Sequence, residues 1–286
     1  MRVIGLSDGL PCAGHPWRCY LQRLVVLQVR RVFKKVKVHK LLIIFIFLMF
    51  SSFQATAQDA RIAVASNFVN TAQVLVLKFS EQTRYKMSVS AASTGKLFAQ
   101  IRQAAPFDLL LAADRQTPER LVSEGFAVKE TLFDYARGRL VFVSQVPRTE
   151  ASPEQLLRQA QFKKLAMANP ELAPYGLAAQ QTLEALGLLP KVKARLVMGE
   201  NIGQAAQFVF SGNADAGLLP RAFALEAPEQ QKLYQNSWLI PESLHQPIVQ
   251  TAVLLTRGQT NQAAQAFMQY LQGSEAQGII ASHGYN

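Results

Sequence analysis

From residue 61 onward, short apolar runs alternate with amphipathic stretches, and Gly, Ser, Asn or Pro marks the handovers. This alternation narrows the fold most, because strands alternating with helices need crossover connections and parallel sheets. "RIAVAS" (61–66) reads as a strand running into Asn67. Ala72, Leu75, Val76 and Phe79 then recur at i, i+3, i+4 and i+7, the stripe of a helix packed on a sheet. "KMSVSAAS" (86–93) is the next strand, and Leu97 with Ile101 starts the next helix. "FDLLLAAD" (107–114) is continuously apolar at its centre, as a strand buried on both faces should be. Thr117 and Pro118 predict a cap and a first-turn proline, and Gly125 a helix stop.

The pattern continues with strands at "RLVFVS" (139–144), "KLAMAN" (164–169), "ARLVMG" (194–199), "DAGLLP" (215–220) and "PIVQTAVLLT" (247–256). Helices are expected after Ser152-Pro153, over 176–186 up to Gly187, and over 202–210 up to Gly212. Two more close the chain, one through Phe267, Met268 and Leu271, the other from Ser274. "RLVFVS" and "PIVQTAVLLT" bracket a block of about 100 residues with its own strands and helices. The expected fold is α/β, with two lobes, each a mainly parallel sheet flanked by helices, joined by two extended hinge crossings. Residues 58–141 with 248–286 form lobe 1 and 142–247 lobe 2. A cleft between such lobes closes on a ligand like a hinge.

Residues 1–57 read as a leader and signal peptide. "KKVKVHK" (34–40) precedes ten unbroken apolar residues (41–50), and Ala55-Thr56-Ala57 supplies the small residues of a cleavage site. A lasting membrane span needs roughly 20 apolar residues, so cleavage near Ala57 and a periplasmic location are expected. Of the 30 Lys and Arg and 19 Asp and Glu, the leader holds nine and one, so +8 of the net +11 charge leaves with it. The remaining +3 gives no reason to expect a nucleic-acid partner. Both cysteines, Cys12 and Cys19, also lie in the leader. The mature chain is therefore expected to have no disulfide, thiol nucleophile or cysteine metal site.

Enzyme chemistry finds little footing. "STGKL" lacks the first glycine and final hydroxyl of the phosphate loop GxxxxGK[ST], and there is no GxSxG or HExxH. Past the leader only His245 and His283 remain, far apart and read as structural or exposed. Asp108 and Asp114 read as strand-end and capping residues, Lys96 as a solvated first-turn lysine. No catalytic residue and no cofactor is expected. An exported α/β enzyme stays the rival class.

Four strand-to-helix handovers share one character: Ser66-Asn67, Ser93-Thr94-Gly95, Pro174-Tyr175-Gly176 and Glu200-Asn201-Ile202. Taken singly, their Ser and Asn residues are ordinary caps. Taken together, two from each lobe, they would aim unpaired N–H groups and helix dipoles at one point beyond the strand ends, a place for a small anion.

"IAVASNF", "STGKLFAQI", "APFDLLLAAD", "ANPELAPYG" and "GENIGQA" stand in the order and spacing of the periplasmic molybdate-binding proteins of ABC transporters, which have the type II periplasmic binding-protein fold. The chain after the leader resembles that family over nearly its whole length. The resemblance implies a monomer that binds molybdate, and tungstate with it, and delivers the oxyanion to a membrane permease. Sulfate, phosphate or another small anion is the alternative ligand. By the same resemblance the oxyanion, and with it the metal it carries, is held by the hydroxyl and amide of Ser66, the amide of Asn67, the hydroxyl and amide of Thr94, and the amides of Tyr175 and Ile202. Gly95 is read as part of the same cradle. Two departures stand out: Thr94 where some members have serine, and Pro220, which has no donor, where one branch has a tyrosine.

Overall fold

The computed structural model describes residues 59–145, 151–225, 233 and 237–286, so the expected leader and signal lie outside the described residues. Among the described residues, ten strands form two five-stranded sheets. The first has the order β2 (Met87–Ala92), β1 (Ala60–Ala65), β3 (Leu109–Leu111), β10 (Ile248–Leu254), β4 (Phe133–Gly138). The second repeats the plan as β7 (Leu196–Gly199), β6 (Leu165–Ala168), β8 (Ala216–Pro220), β5 (Leu140–Ser144), β9 (Ser237–Leu239).

In each sheet three strands run parallel, and a reversed strand, β10 or β5, pairs antiparallel with both of its neighbours. The sheets are therefore mixed, and the reversal follows from the crossings. β4 passes through Arg139 directly into β5, so β5 leaves the cleft while β6 and β8 run towards it. β10 enters the first sheet in the same way after the second crossing, 240–247. The second sheet takes up the chain at Leu140, so a division between 141 and 142 falls inside β5. β4 and β9 were not expected. β4 carries Asp134, Arg137 and Gly138 and, among the described residues, has one strand neighbour, β10, which it meets through a bulge at Gln250/Thr251. Its alternation is accordingly weak.

Both faces of the first sheet are covered, which explains the apolar run at 109–111. Ile62, Val64, Leu109, Leu111 and Leu254 pack with α1 (Val69–Gln82), α8 (Gln262–Gln272) and α9 (Ser274–Ser282) through Leu75, Phe79, Phe267 and Ile280. Ala63, Leu110 and Val253 point the other way, to Leu97 and Ile101 of α2 (Thr94–Arg102) and Leu121 of α3 (Gln116–Ser123). Successive strand residues thus serve two separate cores. In the second lobe, one core joins the sheet to α4 (Pro153–Arg158), α5 (Pro174–Ala185), the short α6 (Leu189–Val192) and α7 (Ile202–Phe210).

Several helix ends follow the local chemistry. Ser152 and Gln155 form a reciprocal capping box, and Gly125, Gly187 and Gly212 take positive φ where their helices stop. One that differs from expectation is α3, which begins at Gln116. Its acceptor is the Asp114 carboxylate, 2.6 Å from the Thr117 amide, and Thr117 lies inside the helix. No helix of the described residues is long and apolar enough to cross a membrane.

Candidate functional site

Ser66, Asn67, Thr94, Tyr175 and Ile202 line one small cavity between the lobes, with Ala65, Ser93, Ala113, Ala173 and Pro174 completing its wall. Its unfilled space is about 180 Å³, mouth included. Ser66 and Asn67 follow β1 and Thr94 follows β2; Tyr175 follows β6 and Ile202 follows β7. These strands hold equivalent places in the two sheets, so the lobes present matching strand ends to each other. A helix start leaves N–H groups without intrahelical partners, so these turns can offer donors at the gap. Among the described residues, those that line the cavity carry no carboxylate, imidazole, ammonium or guanidinium group.

The lobe 1 hydroxyls are not helix caps. Asn201 does cap α7, its Oδ1 accepting from the Gln204 amide at 3.0 Å. Ser93, at the equivalent position before α2, makes no cap bond. Thr94 is 1% exposed, and its Oγ1 accepts from the Ala113 amide at 3.2 Å. That bond occupies a lone pair and leaves the hydroxyl hydrogen to donate. Asn67 is engaged by distant residues: Nδ2 donates to Gln250 Oε1 at 2.8 Å, and the Tyr285 hydroxyl donates to the Asn67 carbonyl at 2.6 Å. Asn67 is therefore held by residues far away in sequence.

Two residues do other work than expected. The Gly95 amide is not part of the cradle; it donates to the Leu172 carbonyl of the other lobe at 2.9 Å. Lys96 is half-exposed but paired: its Nζ lies 2.6 Å from Glu200 Oε1, a salt bridge between the lobes just outside the cavity wall. The start of α2 thus combines a wall of the cavity with two contacts that hold the cleft shut. Neither partner could be read from sequence, since nothing local marks Leu172 or Glu200.

Asp108 and Asp114 are structural. Asp108 accepts from the Arg61 amide at 2.7 Å and pairs with Arg257. Burial raises the Asp114 carboxyl above its usual range, and its bonds from Thr117 oppose this. His283 Nδ1 lies 3.1 Å from Thr71 Oγ1, and burial lowers its pKa. His245 Nδ1 lies 2.7 Å from the Gln246 carbonyl. Among the described residues, no group of three or more His, Cys, Asp or Glu could hold a metal ion. A larger groove of about 1420 Å³, open solvent included, adjoins the cavity and is lined by Arg115, Arg120, Leu177, Gln181 and Pro247 among others. Its walls mix charged and apolar groups. The small cavity has the donor set of an anion site.

Comparison with known proteins gives the family. The family model for bacterial extracellular solute-binding proteins matches residues 60–286. The molybdate-binding protein ModA of Azotobacter vinelandii is 41% identical over 81% of this chain and 91% of its own. The Rhodobacter capsulatus protein of the same name is 35% identical over 81% and 89%. The solved structure of the periplasmic molybdate-binding protein of Azotobacter vinelandii superimposes with a TM-score of 0.74 at 35% identity, over 79% of this chain and 98% of that one. Two mixed sheets with flanking helices, a cleft closed by matching strand ends and this match across nearly the whole described chain lead to one conclusion: the chain belongs to the bacterial extracellular solute-binding proteins, in their type II fold.

Proposed function

We propose that this protein binds molybdate, and tungstate with it, in the periplasm and delivers the oxyanion to the permease of an ABC transporter. It acts as a monomer, catalyses no reaction and needs no cofactor. The ligands are the hydroxyl and amide of Ser66, the amide of Asn67, the hydroxyl and amide of Thr94, and the amides of Tyr175 and Ile202. The carrying observation is that these five residues, from both lobes, line one cavity whose wall is rich in donors and bears no charged side chain. Such a wall suits an anion with no proton to share. A protonated phosphate would need a strong acceptor, and no carboxylate is there. The relatives named as molybdate-binding support the choice of ion.

The energetics are adequate. Hydrogen bonds to a charged group contribute roughly 1.5–3 kcal/mol each, and micromolar affinity needs only about 8 kcal/mol. Several donors therefore suffice after the costs of desolvation and closure.

Titration calorimetry with molybdate, tungstate, sulfate and phosphate tests the reading. Tight binding of the first two and weak or no binding of the others is expected. A preference for sulfate or phosphate would overturn it.

A further inference from the structure

Ser93 is the cavity-lining residue that the expected ligand set leaves out. It occupies the cap position of α2 with extended backbone (φ −65°, ψ 149°). There a serine ordinarily turns its hydroxyl onto the second or third amide of its own helix. Ser93 makes no such bond. The residue is 2% exposed, and its buried Oγ has no hydrogen-bond partner. It lines the cavity next to Thr94. A buried hydroxyl that makes no bond opposes folding, so a partner from outside the chain is the economical explanation. Neither neighbouring group is bonded to it: Thr94 Oγ1 accepts from the Ala113 amide, and the Asn67 side chain donates to Gln250.

We propose that Ser93 Oγ is a direct ligand of the bound oxyanion, donating a hydrogen bond beside that of Thr94. The inference rests on the oxyanion-binding function proposed above. It also gives lobe 1 two adjacent hydroxyl donors at the end of β2, where lobe 2 offers backbone amides.

The test compares wild type, Ser93→Ala and Thr94→Ala by calorimetry with molybdate, together with thermal unfolding without ligand. Ser93→Ala is expected to weaken binding roughly 10- to 150-fold, the loss of one hydrogen bond to a charged group. Its unliganded melting temperature should stay level or rise, because an unpaired buried hydroxyl has been removed. Ser93→Cys, similar in size with a weak donor, should fall between. Binding by Ser93→Ala within about two-fold of wild type, while Thr94→Ala is weakened, overturns this inference and leaves the function standing. A loss of affinity matched by a loss of unliganded stability assigns Ser93 a structural role and also overturns it. If wild type binds none of the four oxyanions, the functional reading falls, and this inference with it.

Discussion

Thr94 shows how much one hydroxyl can carry. It lines the cavity and takes a hydrogen bond from the Ala113 amide, which leaves its own hydrogen to donate. Thr94→Ala should cut molybdate affinity roughly 10- to 150-fold, whereas Thr94→Ser, which retains the donor, should be far milder; calorimetry reads both. Lys96 is the contrasting case. Its pair with Glu200 is about half exposed on each side, and such pairs contribute about 0–1 kcal/mol. Lys96→Ala should therefore change affinity by less than about five-fold. A loss as large as that of Thr94→Ala would place the lysine charge in the site. Because the wall holds no carboxylate, imidazole or ammonium, affinity should be flat between about pH 6 and 9. A titration series across that range would expose any hidden titrating ligand.

At the scale of elements, the first turn of α2 is both a wall of the site and a latch between lobes. A Cβ added at Gly95 would lie 3.1 Å from the Leu172 carbonyl oxygen and 3.2 Å from its Cα. Those contacts exist only when the lobes are closed. Gly95→Ala should favour α2 itself by roughly 0.5–1 kcal/mol while pushing the lobes apart by a few tenths of an ångström. Affinity should fall without loss of unliganded stability. Unchanged affinity would show that the loop carrying Leu172 yields freely. The hinge has a tight spot of its own: a Cβ on Gly138, the last residue of β4, would overlap the Tyr175 hydroxyl. This ring, buried in the lobe 2 core, ties the start of α5 to the first crossing.

For the whole molecule, ligand and protons act on stability by separate routes. A ligand that binds only the folded chain stabilises it by about 4 kcal/mol at 1,000 times its Kd. For a chain of this size that raises the melting temperature by on the order of 10 °C. Molybdate should produce this shift in a thermal scan. The proton route runs through His283 behind the site, whose pKa burial lowers from its usual value near 6.5. The unfolded chain therefore takes up the proton first. Stability is complete above that value and declines as pH falls through it towards the folded pKa. His283→Gln should flatten the change in melting temperature between pH 7 and 6. Asp114 acts in the opposite sense at lower pH, because burial raises its pKa and the folded chain binds the proton first.

The sequence by itself determined what is local. Buried strands showed as apolar runs, helices as 3.6-residue stripes, and helix stops as the positive-φ glycines 125, 187 and 212. The four strand-to-helix turns could be read as anion-directed because unpaired amides at a helix start are a property of the helix alone. Long-range partners were not legible. Gln250 and Tyr285, which hold Asn67, stand 183 and 218 residues away. Leu172 and Glu200 meet Gly95 and Lys96 only because the lobes face each other. The reversed strand in each sheet was equally hidden, since the hydrophobic pattern of a buried strand is the same in either direction. Whether the serine before α2 caps its helix or faces a ligand was likewise undecided by residue type. The structure shows that it makes no cap bond, and only tertiary packing fixes where its buried hydroxyl sits.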